Sequence, residues 1–357
     1  MNFIIENKVF TSPIDLSEEK IMIKSYNKDY SVIYSQNKLK ELIKEYYNNK
    51  DFIIIDKNVF NLDLLSLSSI DSRYYHIFEA LESNKNMEYV LKIIDQLLEL
   101  NFNKKNKLLV IGGGITQDVA GFVSAIFKRG LNWTFIPTTL LSITDSAIGA
   151  KVNVNRQSKN MLGIFYAPSS VCISNYFLES LTNDDILSGL GESLKLCLIG
   201  GNECLKIFID NYKIKNYNNI IKISTLVKKI VIEYDELEKH ERKALNYGHE
   251  CAHALESVSN YFIPHGIAVL FGMYIVNTLF YDDKYKSINN LILEMIPDKY
   301  KKLNLSYDEF IKHLLNDKKN DGDNICFIIL VEIGNIQFKF KKLDEINEKL
   351  KNIFNDI

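Results

Sequence analysis

The chain has 357 residues, 43 Lys and Arg against 45 Asp and Glu, and 46% hydrophobic residues, a balance that excludes a disordered or fibrous protein and fits about two globular domains. A formal charge of -2 supplies no general pull toward nucleic acid or anionic membrane, so neither is an expected partner and any positive site must be local. The five cysteines form no CxxC pair, which excludes a disulfide framework and a thiolate zinc knuckle and points to a reducing compartment.

The start, MNFIIENKVF, lacks a basic segment followed by a long apolar run, and no apolar stretch approaches the roughly 18 residues that span a bilayer. A cytoplasmic protein is expected. Short β-branched runs follow at DFIIIDKNVF (51–60), KLLVIGGG (107–114) and WTFIPTT (133–139), with the helical pattern MEYVLKIIDQLLELNF among them. This alternation predicts a parallel sheet flanked by helices. KLLVIGGGITQDVAGFVSAIF reads as buried strand, glycine turn and helix, an arrangement that offers backbone N–H groups to an anion. From about residue 176 the periodicity is helical almost throughout, until ICFIILVEIG and NIQFKF predict a strand pair and a last helix begins near Leu343. The fold expected is an α/β Rossmann-like domain over 1–175 and a mainly α-helical domain over 176–357, joined near Pro168 and residues 170–178.

Three of the six histidines fall within residues 249–265. His249 and His253 are one helical turn apart, and His265 follows the turn YFIPHG, so all three can address one divalent ion, with Glu192 of GLGESLK as the carboxylate that completes the site. His249-Glu250-Cys251-Ala252-His253 also matches the HExxH pattern of zinc proteases. A long glycine-rich α/β half is not what a protease needs. Gly112-Gly113-Gly114 with Asp118 suits either a dinucleotide phosphate or a simple tight turn, and Asp56 and Asn58 suit either ribose hydroxyls or an Asx turn. Arginine is scarce, with only Arg73, Arg129, Arg156 and Arg242. The spacing Arg242, Asn246, His249, His253 predicts one nearly continuous helical face, which would set a guanidinium fork for carboxylate or phosphate beside the metal. Lys151, Lys159, Lys195 and Lys228 are candidates for the same cavity, although a lysine taken singly is usually a solvated surface residue.

Together these segments resemble the sugar phosphate cyclases, most closely the 3-dehydroquinate synthase family. The resemblance runs from about Asp56 to Gly334 and is carried, in order, by IDKNV, ESNK, GGGITQDVAGFVSAIFKRG, IPTTLLSITDSAIGAKVNVN, KNMLGIFYAP, FLESL, SGLGESLK, VKKIVIEYDELEKHERKALNYGHECAHALE, PHGIAVLFGM and NDKKNDG. It implies an NAD-binding α/β half and a helical metal-binding half, with the active site in the cleft between them. By position, it implies that Glu192, His249 and His265 ligate a metal, zinc or cobalt, and that His253 is catalytic. Lys151, Lys195, Lys228 and Asp145 match further catalytic positions, and Asn160, Arg242, Asn246 and Lys318 match substrate contacts. Arg129 matches a residue that reaches substrate phosphate across a dimer interface, so a homodimer is expected. Asp56, Asn58, Glu82, Lys85, Gly113, Gly114, Asp118, Thr138, Thr139, Lys159 and Ser180 match dinucleotide contacts.

The implied chemistry is a phosphate-eliminating cyclisation of a small phosphorylated sugar acid, a step of the shikimate pathway. NAD oxidises a ring hydroxyl transiently, phosphate leaves, hydride returns, and ring opening and aldol closure follow. Several positions depart from the family pattern. HGI stands for HGE, so Ile267 removes a carboxylate that could support His265. Ala150 and Val152 replace the usual Gly and Thr, GHECAH replaces GHTxGH, and Thr182 stands where proline is common. Arg242 with Asn246 favours a carboxylated substrate over the substrates of the inosose-type cyclases. The competing readings are a cyclase acting on sedoheptulose 7-phosphate or glucose 6-phosphate, an iron-type alcohol dehydrogenase that would release reduced NAD, and a non-catalytic descendant.

Overall fold

The computed structural model describes residues 1–281, 283–316, 320 and 324–356, so Lys318 lies outside the described residues. The backbone forms two compact units, one of residues 17–181 and the other of residues 1–16 with 182–357. This division differs from the expected 1–175 and 176–357 twice: the junction falls at 181/182, and residues 1–16 group with the C-terminal unit. The cause of the second difference is strand pairing. Asn2–Ile5 runs parallel to Asn335–Lys342 and antiparallel to Lys8–Thr11, which draws the first residues into a four-stranded sheet with Asn324–Glu332.

The unit of residues 17–181 is built on a seven-stranded sheet. Its strands lie in the order Lys20–Ile23, Tyr30–Ser35, Ser170–Ser174, Asn132–Pro137, Lys107–Gly112, Phe52–Asp56 and Tyr75–Phe78. All neighbours are parallel except the first pair. Every residue of Phe52–Asp56 is buried, as a strand covered on both faces requires, which is why it reads as an unbroken apolar run. Ile53, Ile55, Leu109 and Ile111 pack one face against Leu39, Leu42 and Val59. At Gly112 the strand passes into the helix Gly114–Ile126, the strand–turn–helix predicted there.

The other unit is mainly helical, and close glycine crossings position its functional residues. Helix Asn183–Gly200 packs on helix His265–Phe280 so tightly that a Cβ on Gly266 would lie 1.8 Å from the Ser188 carbonyl oxygen, and one on Gly191 would lie 2.2 Å from the Gly266 carbonyl oxygen. Gly272 meets the Gly248 carbonyl oxygen in the same way, at 1.9 Å. Only glycine leaves room for such backbone-to-backbone contact. Thr182, at the family's proline position, caps helix Asn183–Gly200: its Oγ1 accepts the Asp185 N–H at 3.2 Å, and Asp185 accepts the Thr182 N–H at 3.1 Å. The predicted strand pair and final helix are present as Asn324–Glu332, Asn335–Lys342 and Leu343–Asn355. Among the described residues no helix is long and apolar enough to cross a membrane.

Candidate metal and dinucleotide centres

Glu192, His249 and His265 each follow or precede a crossing glycine: Gly191, Gly248 and Gly266. The helix crossings therefore carry the three side chains to one point. One ligand atom from each lies within 4.8 Å of the others, the one such group of three found among the described residues. Nε2 of His265 is 3.2 Å and Nε2 of His249 is 3.5 Å from Glu192 Oε1. The opposite ring edges are already engaged. His249 Nδ1 faces the Tyr247 carbonyl oxygen at 3.4 Å, and His265 Nδ1 faces Glu256 Oε2 at 3.2 Å. One carboxylate and two imidazoles, each imidazole turning Nε2 to a common point, fit a divalent-ion donor set. Glu192 is fully buried and also ion-paired with buried Lys195. Burial pulls the His265 imidazole down, but the Glu256 and Glu192 carboxylates outweigh it and lift it to about 10.

His253 lies on the same helix as His249, with ring centroids 5.4 Å apart, yet it is exposed and outside the three-donor group. Glu250 is buried, and its Oε1 accepts the Ile328 backbone N–H at 3.2 Å. An HExxH site needs both histidines as ligands and the glutamate beside them, so the protease pattern is not realised. The expected helical face from Arg242 to His253 is interrupted. Arg242 and Asn246 belong to a 3₁₀ segment, Glu241–Asn246, and Gly248 at φ 79° turns the chain before the helix begins at His249. Arg242 is nonetheless buried. Its backbone N–H donates to Asp235 at 3.2 Å and its guanidinium to the Glu236 carbonyl, while Asn246 Nδ2 donates to Glu238 at 3.0 Å. Lys228 is buried on the helix Tyr217–Tyr234.

In the unit of residues 17–181, Gly113 precedes the first helical residue after the strand, and a Cβ there would meet Thr139 Cγ2 at 3.0 Å. Lys85 joins Asp118 in an ion pair and donates to Asn160 Oδ1 at 2.6 Å. Glu82 joins the same cluster through Asn155, whose Nδ2 donates to its Oε1 at 2.7 Å and whose backbone N–H donates to the Lys85 carbonyl at 2.7 Å. Asn160, matched to substrate, thus contacts a residue matched to dinucleotide. Asp56 accepts the Asn58 N–H at 2.7 Å, the Asx-type cap that the sequence left as one alternative. Thr138 is buried and Thr139 Oγ1 bonds Ser142 Oγ at 2.9 Å. Ser180 Oγ donates to the Phe177 carbonyl at 2.8 Å, and Lys159 is exposed. Asp145 lies in a π-helical turn, Lys151 opens the strand Lys151–Val154, and Arg129 is exposed with φ 64°. Ala150, where the family usually has glycine, keeps a left-handed backbone at φ 58°.

Burial lifts the Asp118 carboxyl from 3.8 to about 6, with Lys85 and the Asn153 N–H opposing it. The folded protein therefore holds this proton more tightly than the unfolded chain does. The stability it contributes is full below pH 3.8 and is lost as pH rises through about 6. Carbon-13 titration of the Asp118 carboxyl should give a midpoint near 6, and Lys85→Met should move it higher. A wild-type midpoint at the ordinary carboxylate value would refute burial as the dominant influence.

The family model described as 3-dehydroquinate synthase N-terminal matches residues 75–188, and the C-terminal one matches residues 189–320. A 3-dehydroquinate synthase of Pelagibacter ubique is 37% identical over 94% of this chain and 97% of its own. This chain belongs to the 3-dehydroquinate synthase family. It is an enzyme of that kind. A second 3-dehydroquinate synthase, from Thermoanaerobacter sp., is 32% identical over 95% of this chain and 99% of its own. Among solved structures, 2-deoxy-scyllo-inosose synthase complexed with carbaglucose-6-phosphate, NAD+ and Co2+ superimposes with a TM-score of 0.78 at 22% identity, covering 93% of this chain and 99% of that one. The 2-epi-5-epi-valiolone synthase of Streptomyces hygroscopicus subsp. jinggangensis, with NAD+ and Zn2+ bound, gives 0.76 at 21% identity, covering 92% and 97%. These likenesses establish the shared fold of an α/β sheet domain and a helical domain.

No single-residue pattern in the sequence pointed to Glu256 or to the crossing glycines. Glycine abuts each of the three donor residues, and Glu256 stands two turns after His249 on the same helical face, but neither spacing says which backbone or ring it meets.

Proposed function

We propose that the protein converts 3-deoxy-arabino-heptulosonate 7-phosphate to 3-dehydroquinate and phosphate, using NAD and a divalent metal, zinc or cobalt. The observation that carries this reading is the buried Arg242 in the unit that also holds the Glu192, His249 and His265 donors, within a chain whose relatives of 32% and 37% identity are 3-dehydroquinate synthases. A guanidinium fork grips a carboxylate bidentately, and a heptulosonate carries one where sedoheptulose 7-phosphate and glucose 6-phosphate do not.

Bound metal supplies Lewis-acid polarisation, and bound dinucleotide takes up and returns one hydride. Glu192, His249 and His265 hold the metal, and Lys195 fixes the Glu192 carboxylate. Arg242 and Asn246 orient the substrate carboxylate end. By their match to family positions, Lys151, Lys228, Asn160 and, from a second copy, Arg129 are the candidates for phosphate contacts, and Asp145 and the exposed His253 the candidates for proton exchange with substrate hydroxyls. Asp118, Lys85 and the Gly113–Gly114 turn, with the neighbouring matched residues, hold the dinucleotide. Net turnover would leave the dinucleotide unchanged, so no reduced dinucleotide would accumulate.

The test is phosphate release by metal- and NAD-loaded enzyme offered 3-deoxy-arabino-heptulosonate 7-phosphate, sedoheptulose 7-phosphate and glucose 6-phosphate, with dinucleotide absorbance followed in parallel. Turnover of the first substrate is expected, with Arg242→Ala lowering kcat/KM about 10²-fold through lost charge-assisted hydrogen bonds. Turnover of another sugar alone would reassign the substrate, and steady accumulation of reduced dinucleotide would favour a dehydrogenase.

A further inference from the structure

We infer that Glu256 is the positioning residue of the metal centre: it holds His265 in the orientation that turns Nε2 toward Glu192 and His249. The inference rests on the proposed metal site and extends it to a residue outside the donor set. Ile267, two residues on, is fully buried and carries no polar atom, so the carboxylate that the family commonly has at that position is absent. Glu256 supplies one from a different helix. This residue is 5% exposed and its Oε2 lies 3.2 Å from His265 Nδ1, opposite the Nε2 that lies 3.2 Å from Glu192 Oε1. A carboxylate accepting from Nδ1–H leaves the Nε2 lone pair for a metal and makes that nitrogen a better donor.

The position of Glu256 is itself well fixed. It stands seven residues after His249 on helix His249–Val258, so it shares that residue's face two turns on. Its carbonyl closes the helix end by accepting the Tyr261 N–H at 2.7 Å and the Ser259 hydroxyl at 3.1 Å. The two imidazoles are thus backed differently. His249 leans on a backbone carbonyl, which no substitution removes, and His265 on a side chain that one substitution removes.

The experiment measures zinc affinity by chelator competition, and the visible spectrum of the cobalt form, for wild type, Glu256→Gln, Glu256→Leu, His265→Ala and the double variant Glu256→Gln/His265→Ala. Glu256→Gln keeps the shape and a neutral acceptor and should bind zinc about 10-fold more weakly; Glu256→Leu should approach 100-fold. The cobalt absorption should shift in both, and the thermal midpoint of the chelator-treated Glu256→Gln protein should stay close to that of wild type. In the His265→Ala background, Glu256→Gln should cause no further loss, because its effect passes through that ring. Wild-type affinity in both Glu256 variants, or an undiminished loss in the His265→Ala background, would overturn the positioning role while leaving the metal site standing. Failure of wild type itself to bind zinc or cobalt would overturn both.

Discussion

Chelator treatment is expected to lower phosphate release about 10³-fold or more, with recovery on adding zinc or cobalt, because Lewis-acid stabilisation is worth several kcal/mol of barrier. The fold should survive this treatment. Lys195 is ion-paired with Glu192, so the buried carboxylate keeps a countercharge when the metal leaves. Glu192→Gln is a harsher change: it strands the Lys195 ammonium, which is 1% exposed, and should cost about 3–5 kcal/mol of stability besides the activity. Chelation separates chemistry from folding for that reason. Full activity in protein with verified absence of metal would remove Glu192, His249 and His265 from the proposed reaction.

Gly266→Ala should have the second large effect. Its Cβ would sit 1.8 Å from the Ser188 carbonyl oxygen, a collision with backbone that no change of rotamer relieves. The Gly266 N–H also donates to Ser188 Oγ at 2.9 Å, so parting the two helices breaks a buried hydrogen bond as well. The expected cost is about 3 kcal/mol or more, read as a lower urea midpoint. Because Glu192 and His265 adjoin the crossing residues, zinc affinity should fall at least about 10-fold alongside it. A Gly266→Ala protein with wild-type midpoint and affinity would mean that the helices do not approach as closely as described.

Much of the molecule is legible in one dimension. Strands covered on both faces must be apolar along their whole length, so Phe52–Asp56 and Lys107–Gly112 announce a parallel sheet, and Asn335–Lys342 with the helix from Leu343 follows from local periodicity and turn residues. The metal donors were also readable: histidines number only six, so the cluster of His249, His253 and His265 stands out, and the family resemblance supports Glu192 and narrows the donors to Glu192, His249 and His265. Three features were not readable. The first residues join the distant C-terminal strands, because parallel pairing between Asn2–Ile5 and Asn335–Lys342 depends on a register no local pattern encodes. Gly248 interrupts the face from Arg242 to His253, because a left-handed turn at one glycine rotates everything before it relative to everything after.

The third is the support of the donors. Sequence determined which residue types were available for a metal, a dinucleotide and a carboxylate, because the chemistry of each ligand restricts the side chains that can meet it. Tertiary structure decided which of them converge: backbone contact at Gly191, Gly248, Gly266 and Gly272 sets the helix separations, and those separations place Glu192, His249 and His265 together, leave His253 outside, and put Glu256 behind His265.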